Sequence, residues 1–377
     1  MATEYEVQLQ RIRVLYTKLE ILNSSLEIID EVTGLCSGGN YNFTSNSDIR
    51  RTCNLTMILN EKTLPSPTSP FWLNKRFRIY VGIQSLQGDE IKWFNLGTYL
   101  IKSPTVSIEV DGNKLSITGV DMVAGLNGDI SGMLDTKYKI PHGDVISTVV
   151  KNTLVEAGEV RLNIEPTTYV VPYDIEKDAG DSFWSLISEL TELYASYEAF
   201  YDVNGVFVFR KSSTLYNDSV AWNFEDNDMI IDIQNTISYD NVKNKIKVWG
   251  AVQDDGSQPS YTIEVRDSNY PHCPFTIEKL DEGRIRNYVV TEDKYHNTSQ
   301  CKERAEYEVD QHTNCADSVS LTCVPIYSLD VNQICYINRP DENIEGKYVI
   351  DSISCGLSHN DTMTITCHKI YNPVYST

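Results

Sequence analysis

The chain contains the segment GKYVIDSIS at residues 346–354, which closely matches GTYLIKSPT at residues 97–105. Each segment reads glycine, a variable residue, tyrosine, two aliphatic residues, a charged residue and serine. A second pair of segments also matches, LSIT at 115–118 and MTIT at 363–366. The first pair is separated by 346 minus 97, or 249, residues. Aromatic and β-branched residues favour strands, so the sequence predicts the same pair of strands twice.

Two further matches extend the repeat toward the N-terminus. LTM at 55–57 matches LTC at 321–323 at an offset of 321 minus 55, or 266. The strand that begins at Phe77 matches the one that begins at Ile334 at an offset of 334 minus 77, or 257. The offset shrinks only across loops, which tolerate changes in length better than paired strands do. The pattern favours an internally duplicated β domain over a chance recurrence of residue types that are common in strands.

Length and composition indicate a multidomain globular protein. A chain of 377 residues is long for one core, and 41% apolar with 23% charged residues is ordinary for globular proteins. The N-terminal MATEYEVQLQR does not have the pattern of a signal peptide, and no run approaches the ~20 apolar residues of a membrane span.

The charge argues against a duplex-binding protein. The net charge is −21, and the sequence has no cluster of Lys and Arg that would bind phosphates. An acidic wall would keep passing nucleic acid from sticking, whereas the simpler interpretation is solubility.

The order of patterns along the chain predicts its domains. Six or seven short strands precede Asp121, as in one small barrel or sandwich. Helical periodicity at 142–158 and 180–197 and a hairpin at Asn204-Gly205 indicate an α+β segment. Strands then return, followed by a charged helix at 298–313 and four final strands.

We therefore predict a mainly β chain with α+β insertions and two similar antiparallel β-barrels, related by internal duplication. The predicted boundaries are 1–125 for the first barrel, 126–215 for the α+β insert, 216–252 with 310–377 for a discontinuous second barrel, and 253–309 for a small insert within it.

Enzymatic motifs are missing from the sequence. It has no GxSxG, HExxH or phosphate-binding loop. Glu189 and Glu192 could form a carboxylate pair of a hydrolase, but a solvated helix face explains them better. Asp226 and Asp228 lack the rest of a calcium-binding loop. We expect no catalytic residue and no cofactor.

The nine cysteines also predict no metal site. No CxxC pair occurs, and Cys301, His312 and Cys315 have the wrong spacing for a compact zinc finger. Reduced, buried thiols are expected.

Several motifs in order resemble a known family. SDIRRTCNLTM, FRIYVGI, NLGTYLIKSPTVSIEVDGNKLSITGVDMVAGL and DSFWSLISELTELYASYEAFYDVNGVFVFRK, with the C-terminal EGKYVIDSISCGLSHNDTMTITCHKI, look like the baseplate hub proteins of contractile-tailed phages and related tail-like particles. The likeness covers about residues 13–370, and the region 261–290 matches least.

The resemblance implies a homotrimer in the baseplate of a virion tail, assembled in the cytoplasm of the bacterial host. Two tube-like barrels per chain then make a ring of six, which adapts a hexameric tail tube to a trimeric central spike and leaves a channel for the genome. A trimer offers six similar edges only when each chain carries two. The tape-measure protein and the baseplate wedge proteins are further possible partners, and DNA only passes through.

Two groups of charged residues are candidates for roles in such a ring. Glu109, Asp111, Asp351 and Asp361 lie at matched hairpin positions of the two copies and are candidate acidic residues facing the lumen, although solvated turns are their more common role. Arg50 and Arg51 precede a strand, where they either form an ion pair between subunits or guard a solvated strand edge.

A function of another class stays open. A tail-tip hydrolase that degrades the cell envelope, or a carbohydrate-binding module, is the alternative to a structural hub. A hub from a non-contractile tail or from a tail-like bacteriocin is a further option.

Overall fold

The computed structural model describes most of the chain. The described residues are 3–34, 36–59, 64–73, 75–86, 88–110, 112–194, 197–211, 218–225, 229–280, 283–314, 317–342 and 344–371, without the side chains of Asn314 and Asp341.

Strands dominate the described residues. In chain order they are β1 (Leu15–Leu22), β2 (Ile28–Thr33), β3 (Cys36–Thr44), β4 (Arg51–Ile58), β5 (Arg76–Gln84), β6 (Ile91–Glu109), β7 (Gly112–Val120), β8 (Tyr138–Ile140), β9 (Leu162–Ile164), β10 (Ile175–Lys177), β11 (Tyr197–Tyr201), β12 (Phe207–Lys211), β13 (Val220–Phe224), β14 (Ile230–Ile237), β15 (Lys245–Trp249), β16 (Ser260–Glu264), β17 (Asn287–Thr291), β18 (Asp317–Cys323), β19 (Ile334–Arg339), β20 (Ile344–Gly356) and β21 (Met363–Lys369). The α-helices are α1 (Glu4–Gln8), α2 (Ile146–Glu156), α3 (Phe183–Glu192) and α4 (Thr298–Asn314). The prediction of a mainly β chain is confirmed.

Thirteen strands form one sheet. Its order is β14-β18-β21-β20-β3-β4-β7-β6-β5-β1-β2, with β19 paired to β20 and β13 paired to β19. Every neighbouring pair is antiparallel except β13 with β19. Two closed barrels were expected, but in the described part of the chain the pairing path ends at β14 and β2 and closes no ring of strands. The cause is β3, whose second edge pairs with β20, so that the two halves share one sheet.

The core of this sheet follows strict alternation. In β4 the side chains of Cys53, Leu55 and Met57 are at most 1% exposed, while the residues between them are not fully buried. Leu55 and Leu321, one from each half of the sheet, belong to the same apolar core. Because burial of one such side chain contributes ~1.5–3 kcal/mol, this alternation holds the register of each strand.

The pairing in the first half of the sheet recurs in the second half. The order β4-β7-β6-β5 is repeated as β18-β21-β20-β19. Leu55 lies opposite Ile117, and Leu321 lies opposite Ile365. These are the residues that the sequence matches align.

A backbone irregularity recurs as well. The register of β6 against β7 shifts between Ile101 and Ser103, and that of β20 against β21 shifts between Ile350 and Ser352. Both shifts are bulges separated by 350 minus 101, or 249, residues. The two strands also each contain a glycine with positive φ, Gly97 at 122° and Gly346 at 132°, a conformation that favours glycine.

One predicted match is shifted by one residue. Phe77 lies opposite Tyr99, and Cys335 lies opposite Tyr348, so the offset of this strand is 335 minus 77, or 258, instead of 257. Apolar runs such as these look alike after a slip of one residue, and the neighbouring strand decides the register.

The α+β segment between β7 and β13 has an apolar core of its own, with Leu22, Leu26 and Leu100 contributed by the sheet. Helix α3 begins after Ser182, whose hydroxyl accepts a hydrogen bond from the Ser185 backbone N–H at 3.1 Å. Strands β11 and β12 form the predicted hairpin, and Gly205 in its turn has φ 75°.

A second, smaller unit surrounds α4. Strand β15 pairs with β16 and β17 in a separate three-stranded sheet, although the sequence predicted β15 as part of the second barrel. Ile246 and Val248 of β15 are fully buried in the same core as Cys301 and Ala305 of α4. The apolar side of α4, rather than the large sheet, therefore covers this strand.

Candidate functional site: two open strand edges and a charge-poor face

The two halves of the sheet differ in what lies beside their outermost strands. Strand β3 pairs with β4 on one side and with β20 on the other. Strand β14 takes the place of β3 in the second half, because it pairs with β18 as β3 pairs with β4. Among the described residues, β14 has no partner on its outer edge.

A second open edge belongs to β6. The first part of this long strand pairs with β5, and the part after the bulge pairs with β7. The matching part of β20 has two neighbours, β21 and β3. In the described chain, the segment 103–109 of β6 has β7 alone.

Apolar side chains are exposed along these two edges. Ile237 at the end of β14 is 47% exposed, whereas Phe43 at the matching position of β3 is 2% exposed. Val106 of β6 is 40% exposed, whereas its counterpart Cys355 of β20 is 2% exposed. The same positions are thus core inside the chain and solvent-exposed at its two open ends.

The outward side chains of eight adjacent strands, β14-β18-β21-β20-β3-β4-β7-β6, form a surface that we name the polar face. Its members include the exposed apolar Ile58. Its uncharged polar members are Asn40, Asn42, Thr44, Thr52, Asn54, Thr56, Ser103, Thr105, Ser107, Ser116, Thr118, Gln234, Thr236, Ser318, Ser320, Thr322, Ser352, Ser354, Thr364 and Thr366. Two side-chain hydrogen bonds cross it, from Thr118 to Asn54 at 3.1 Å and from Asn54 to Asn40 at 3.3 Å.

Charge is nearly missing from this surface. Its ionisable members in the described strands are Glu109, Lys114, Asp232 and His368, and Glu109 pairs with Lys114 at 2.7 Å. In a chain of net charge −21, the acidic residues therefore lie mainly elsewhere. Sequence reasoning missed these hydroxyl rows, although the alternation in SVSLT and TMTIT carried the signal.

The predicted acidic residues lie at the margins of the polar face. Glu109 ends β6, and Asp111 is outside the described residues. Asp351 occupies the bulge of β20, where its carboxylate is 2.7 Å from Nδ1 of His368. Asp361 lies in the turn before β21 and accepts a hydrogen bond from the Ser358 N–H at 2.8 Å. Of these four residues, the three that the structure describes contact different partners: Glu109 pairs with Lys114, Asp351 with His368, and Asp361 with the Ser358 N–H.

Arg51 has neither of the two predicted roles. It is 2% exposed, and its guanidinium lies 2.5 Å from Asp330 and 2.5 Å from the carbonyl oxygen of Tyr201. It also lies over the ring of Phe43 at 5.2 Å. Arg51 therefore ties β4 to the α+β unit and to the loop before β19 within one chain.

Arg50 is likewise paired within the chain. Its guanidinium lies 2.9 Å from Glu198, which also binds Arg210 at 2.8 Å. The ring of Phe200 lies between the two arginines, at 4.1 Å from Arg50 and 5.3 Å from Arg210. Neither Arg50 nor Arg51 is left for the ion pair between subunits that the sequence suggested.

Asp121 binds the backbone at the two arginines. Its carboxylate accepts hydrogen bonds from the backbone N–H groups of Arg50 at 2.8 Å and Val123 at 2.9 Å. Burial raises the pKa of Asp121 to about 6, and these hydrogen bonds with the charge of Arg51 offset part of that rise.

This raised pKa predicts that acidification from pH 6 to 4 stabilises the fold through Asp121. In that window the folded state holds a proton that the unfolded state, with a pKa near ~3.9, has released. The contribution is fully present below pH ~4 and is lost as the pH rises through 6, by about 3 kcal/mol for two pKa units. Urea unfolding of the wild type and of Asp121→Asn between pH 4 and 7 measures it, because the stability of the wild type relative to that of the variant should fall by about 3 kcal/mol as the pH rises through 6. Parallel curves would contradict the assignment.

The second half of the sheet carries the reverse arrangement of charges. Arg51 and Asp121 flank the β4–β7 ladder, and the matching positions of β18 and β21 are Asp317 and Lys369. Asp317 and Lys369 lie 3.9 Å apart. Acid and base have exchanged strands between the two halves.

A polar cleft of about 580 Å³ opens beside the polar face, between α3, α4 and β20. Its lining includes Arg50, Glu198, Asp351 and His368, which are all engaged with one another or with neighbours. On α3, Glu189 lies 2.9 Å from Lys177, and Glu192 lies 3.3 Å from Lys294. The helix carboxylates therefore each face a lysine rather than each other. Asp226, Asp228 and Cys315, considered as ligands from the sequence, are outside the described residues.

The comparisons with known proteins concern the fold. A family model described as a domain of unknown function, DUF5048, matches residues 272–375. No curated protein matches the chain. No helix in the described part of the chain is long and apolar enough to cross a membrane.

Comparison with solved structures shows that this chain has the fold of phage tail proteins. In particular, the chain is similar to the 43 kDa tail protein of prophage MuSo2 from Shewanella oneidensis, with a TM-score of 0.64, 12% identity and coverage of 94% of this chain and 98% of that one. A tail protein from Neisseria meningitidis has a TM-score of 0.62 and 8% identity, with coverage of 94% of this chain and 96% of that one. The prophage tail protein gp18 from Listeria monocytogenes has a TM-score of 0.55 and 12% identity, with coverage of 95% of each chain.

Proposed function

We propose that this chain is the structural hub of a phage-type tail, in which three copies form a ring around a channel. The ring adapts a hexameric tail tube to a trimeric central spike. The observation that carries the proposal is the recurrence of β4-β7-β6-β5 as β18-β21-β20-β19, with the bulge and the glycine repeated. The shared fold with phage tail proteins supports it.

In this proposal the two sets of strands are copies of one ancestral unit. A hexameric partner requires six similar contact surfaces, and three chains supply six when each carries two such units. The swapped acid and base at Arg51/Asp121 and Asp317/Lys369 mark how far the copies have diverged. Divergence lets the opposite side of the ring keep threefold symmetry for a trimeric spike.

The proposed domains follow the repeated strand order for the sheet and the separate apolar cores for the two inserts. Strands β1 to β7 form the first unit, and β13, β14 and β18 to β21 form the second, with one core shared between them. The α+β insert occupies the segment between β7 and β13. We propose that the second insert begins at Val242, before β15, and ends with α4, because these residues share a core.

The polar face is the proposed wall of the channel. Hydroxyl and amide groups offer no cationic partner to phosphates, so DNA in transit finds no binding site there. Glu109 lies at one end of this wall and Asp351 at its margin, where they remain candidates for acidic groups at the channel.

A hydrolase is less well supported. The carboxylates of Glu189 and Glu192 are each held by a lysine, and a general acid needs a carboxyl group free to exchange its proton with substrate.

Mass measurement in solution tests the hub. Native mass spectrometry of the purified chain is expected to give three times 42.8 kDa, and negative-stain images are expected to show threefold rings with a central opening. Monomers at micromolar concentration, without rings, would contradict the proposal.

A further inference from the structure

We propose that the ring closes by antiparallel pairing of β14 in one chain with the segment 103–107 of β6 in the next chain, in a register that the chain itself already contains. This inference rests on the proposed hub function and identifies its subunit interface. The partner is a second copy of this chain, and the bonds are those of a continuous sheet.

The template is the pairing of β3 with β20 inside one chain. Ser352 lies opposite Thr44, Ile353 opposite Phe43, and Cys355 opposite Tyr41. This contact joins the second half of the sheet to the first half. A ring of alternating halves needs the same contact once more, from the first half of one chain to the second half of another.

Correspondence between the halves identifies the strands that make this second contact. Phe43 lies opposite Arg51 in β4, and Ile237 lies opposite Asp317 in β18, so β14 is the counterpart of β3. The bulges match β6 to β20 at 249 residues, so Pro104 is the counterpart of Ile353. The two strands so identified, β14 and the segment 103–109 of β6, each have an edge without a partner in the described part of the chain.

Transferring the template register gives five residue pairs between chains. They are Ser103 with Ser238, Pro104 with Ile237, Thr105 with Thr236, Val106 with Asn235, and Ser107 with Gln234. The alternation is consistent, because Thr105 and Thr236 fall on the polar face while Val106 and Ile237 fall on the core side.

Exposure supports this pairing. Ile237, Val106 and Ile108 are 47%, 40% and 81% exposed in the isolated chain, and the new contact would cover them as the internal contact covers Phe43 and Cys355. The unpaired backbone N–H and C=O groups of both edges gain partners at the same time.

Proline at 104 refines the geometry. In the template, the carbonyl oxygen of Asp351 accepts a hydrogen bond from the Ser45 N–H, and the N–H of Leu357 donates to the carbonyl oxygen of Gly39. Alternate residues of a strand direct their backbone groups to the same neighbour, so the N–H of Ile353 also points to β3. Pro104 has no N–H at that position, and the contact between chains has one hydrogen bond fewer than the contact within a chain.

The two edges are different surfaces, so the contact is head-to-tail. Such a contact generates a ring when the rotation closes. One chain contributes two halves, and three chains therefore contribute the six required by the proposed function.

Cysteine cross-linking tests the register. In the template, Ser354 and Asn42 form a pair without mutual hydrogen bonds, in which opposite side chains are closest. Their counterparts are Thr105 and Thr236, so the double variant Thr105→Cys/Thr236→Cys is expected to form disulfides between chains on mild oxidation. Non-reducing gels should then show covalent dimers and trimers, which disappear on reduction.

Matched controls define the outcome. Thr105→Cys/Ser238→Cys places the thiols on a diagonal, about 7–8 Å apart between Cα positions, and should cross-link at least tenfold more slowly. Each single variant should give no ladder, which excludes reaction with the native thiols. The inference is overturned if the diagonal pair reacts as fast as the direct pair, or if native mass spectrometry shows trimers that do not cross-link. That last result would leave the hub intact, whereas monomers in the same sample would overturn both proposals.

Discussion

Replacing Arg51 by methionine is expected to lower the free energy of unfolding by about 3–5 kcal/mol, the usual cost of breaking a buried ion pair. The substitution keeps much of the aliphatic volume but removes the contacts to Asp330 and to the Tyr201 carbonyl oxygen. It also leaves the buried Asp121 without its nearest positive charge. Urea denaturation followed by far-UV circular dichroism at pH 7 measures the loss.

Arg210→Met is the matched control. Arg210 is 50% exposed, and its partner Glu198 keeps Arg50, so the expected loss is under about 1 kcal/mol. Equal losses for the two variants would show that Arg51 does not anchor the units as described.

Replacing Ile237 by lysine is expected to abolish the trimer at micromolar concentration, with association at least a hundredfold weaker. The substitution places an ammonium group on the core side of the proposed strand pair, opposite Pro104. The carboxylate of Asp317, which lies opposite Ile237 in the same chain, is already paired with Lys369 at 3.9 Å. The fold of the single chain should be retained because Ile237 is 47% exposed. Sedimentation velocity of the variant and the wild type measures the change.

Ile28→Lys controls for the general effect of an added charge. Ile28 lies in β2, at the opposite end of the sheet, and is 58% exposed. This variant should sediment as the wild type does. Trimers of Ile237→Lys that are as stable as those of the wild type would contradict the proposed interface.

The strand content and most of the equivalent positions in the two halves followed from the sequence. The matches of Leu55 with Leu321 and of Gly97 with Gly346 predicted positions that are equivalent in the sheet, because paired strands retain their spacing when loops change.

What the sequence did not predict depends on contacts between distant residues. The pairing of β3 with β20 joins segments about 310 residues apart, and it makes one sheet where two closed barrels were expected. The place of β15 is decided by α4, which lies about 50 residues further on. The local periodicity of a segment predicts its secondary structure but not the distant segment that it packs against, whether β20 for β3 or α4 for β15.

The candidate residues show the same limit. The sequence drew attention to the charged residues, and Arg50 and Arg51 proved to be internal because Glu198 and Asp330 approach from other units. The serine and threonine rows of the polar face were visible as alternation, but only the shared sheet reveals that eight strands place them on one surface.

A wall of hydroxyl and amide groups has a consequence for transport. Glu109, Lys114 and Asp232 are few charges for eight strands, and two of them pair with each other, so the wall holds few counterions of its own. A polyanion moving along it therefore displaces few attached ions. Passage of DNA through the proposed ring should then depend little on the salt concentration of the surrounding solution, because water rather than bound ions covers the wall.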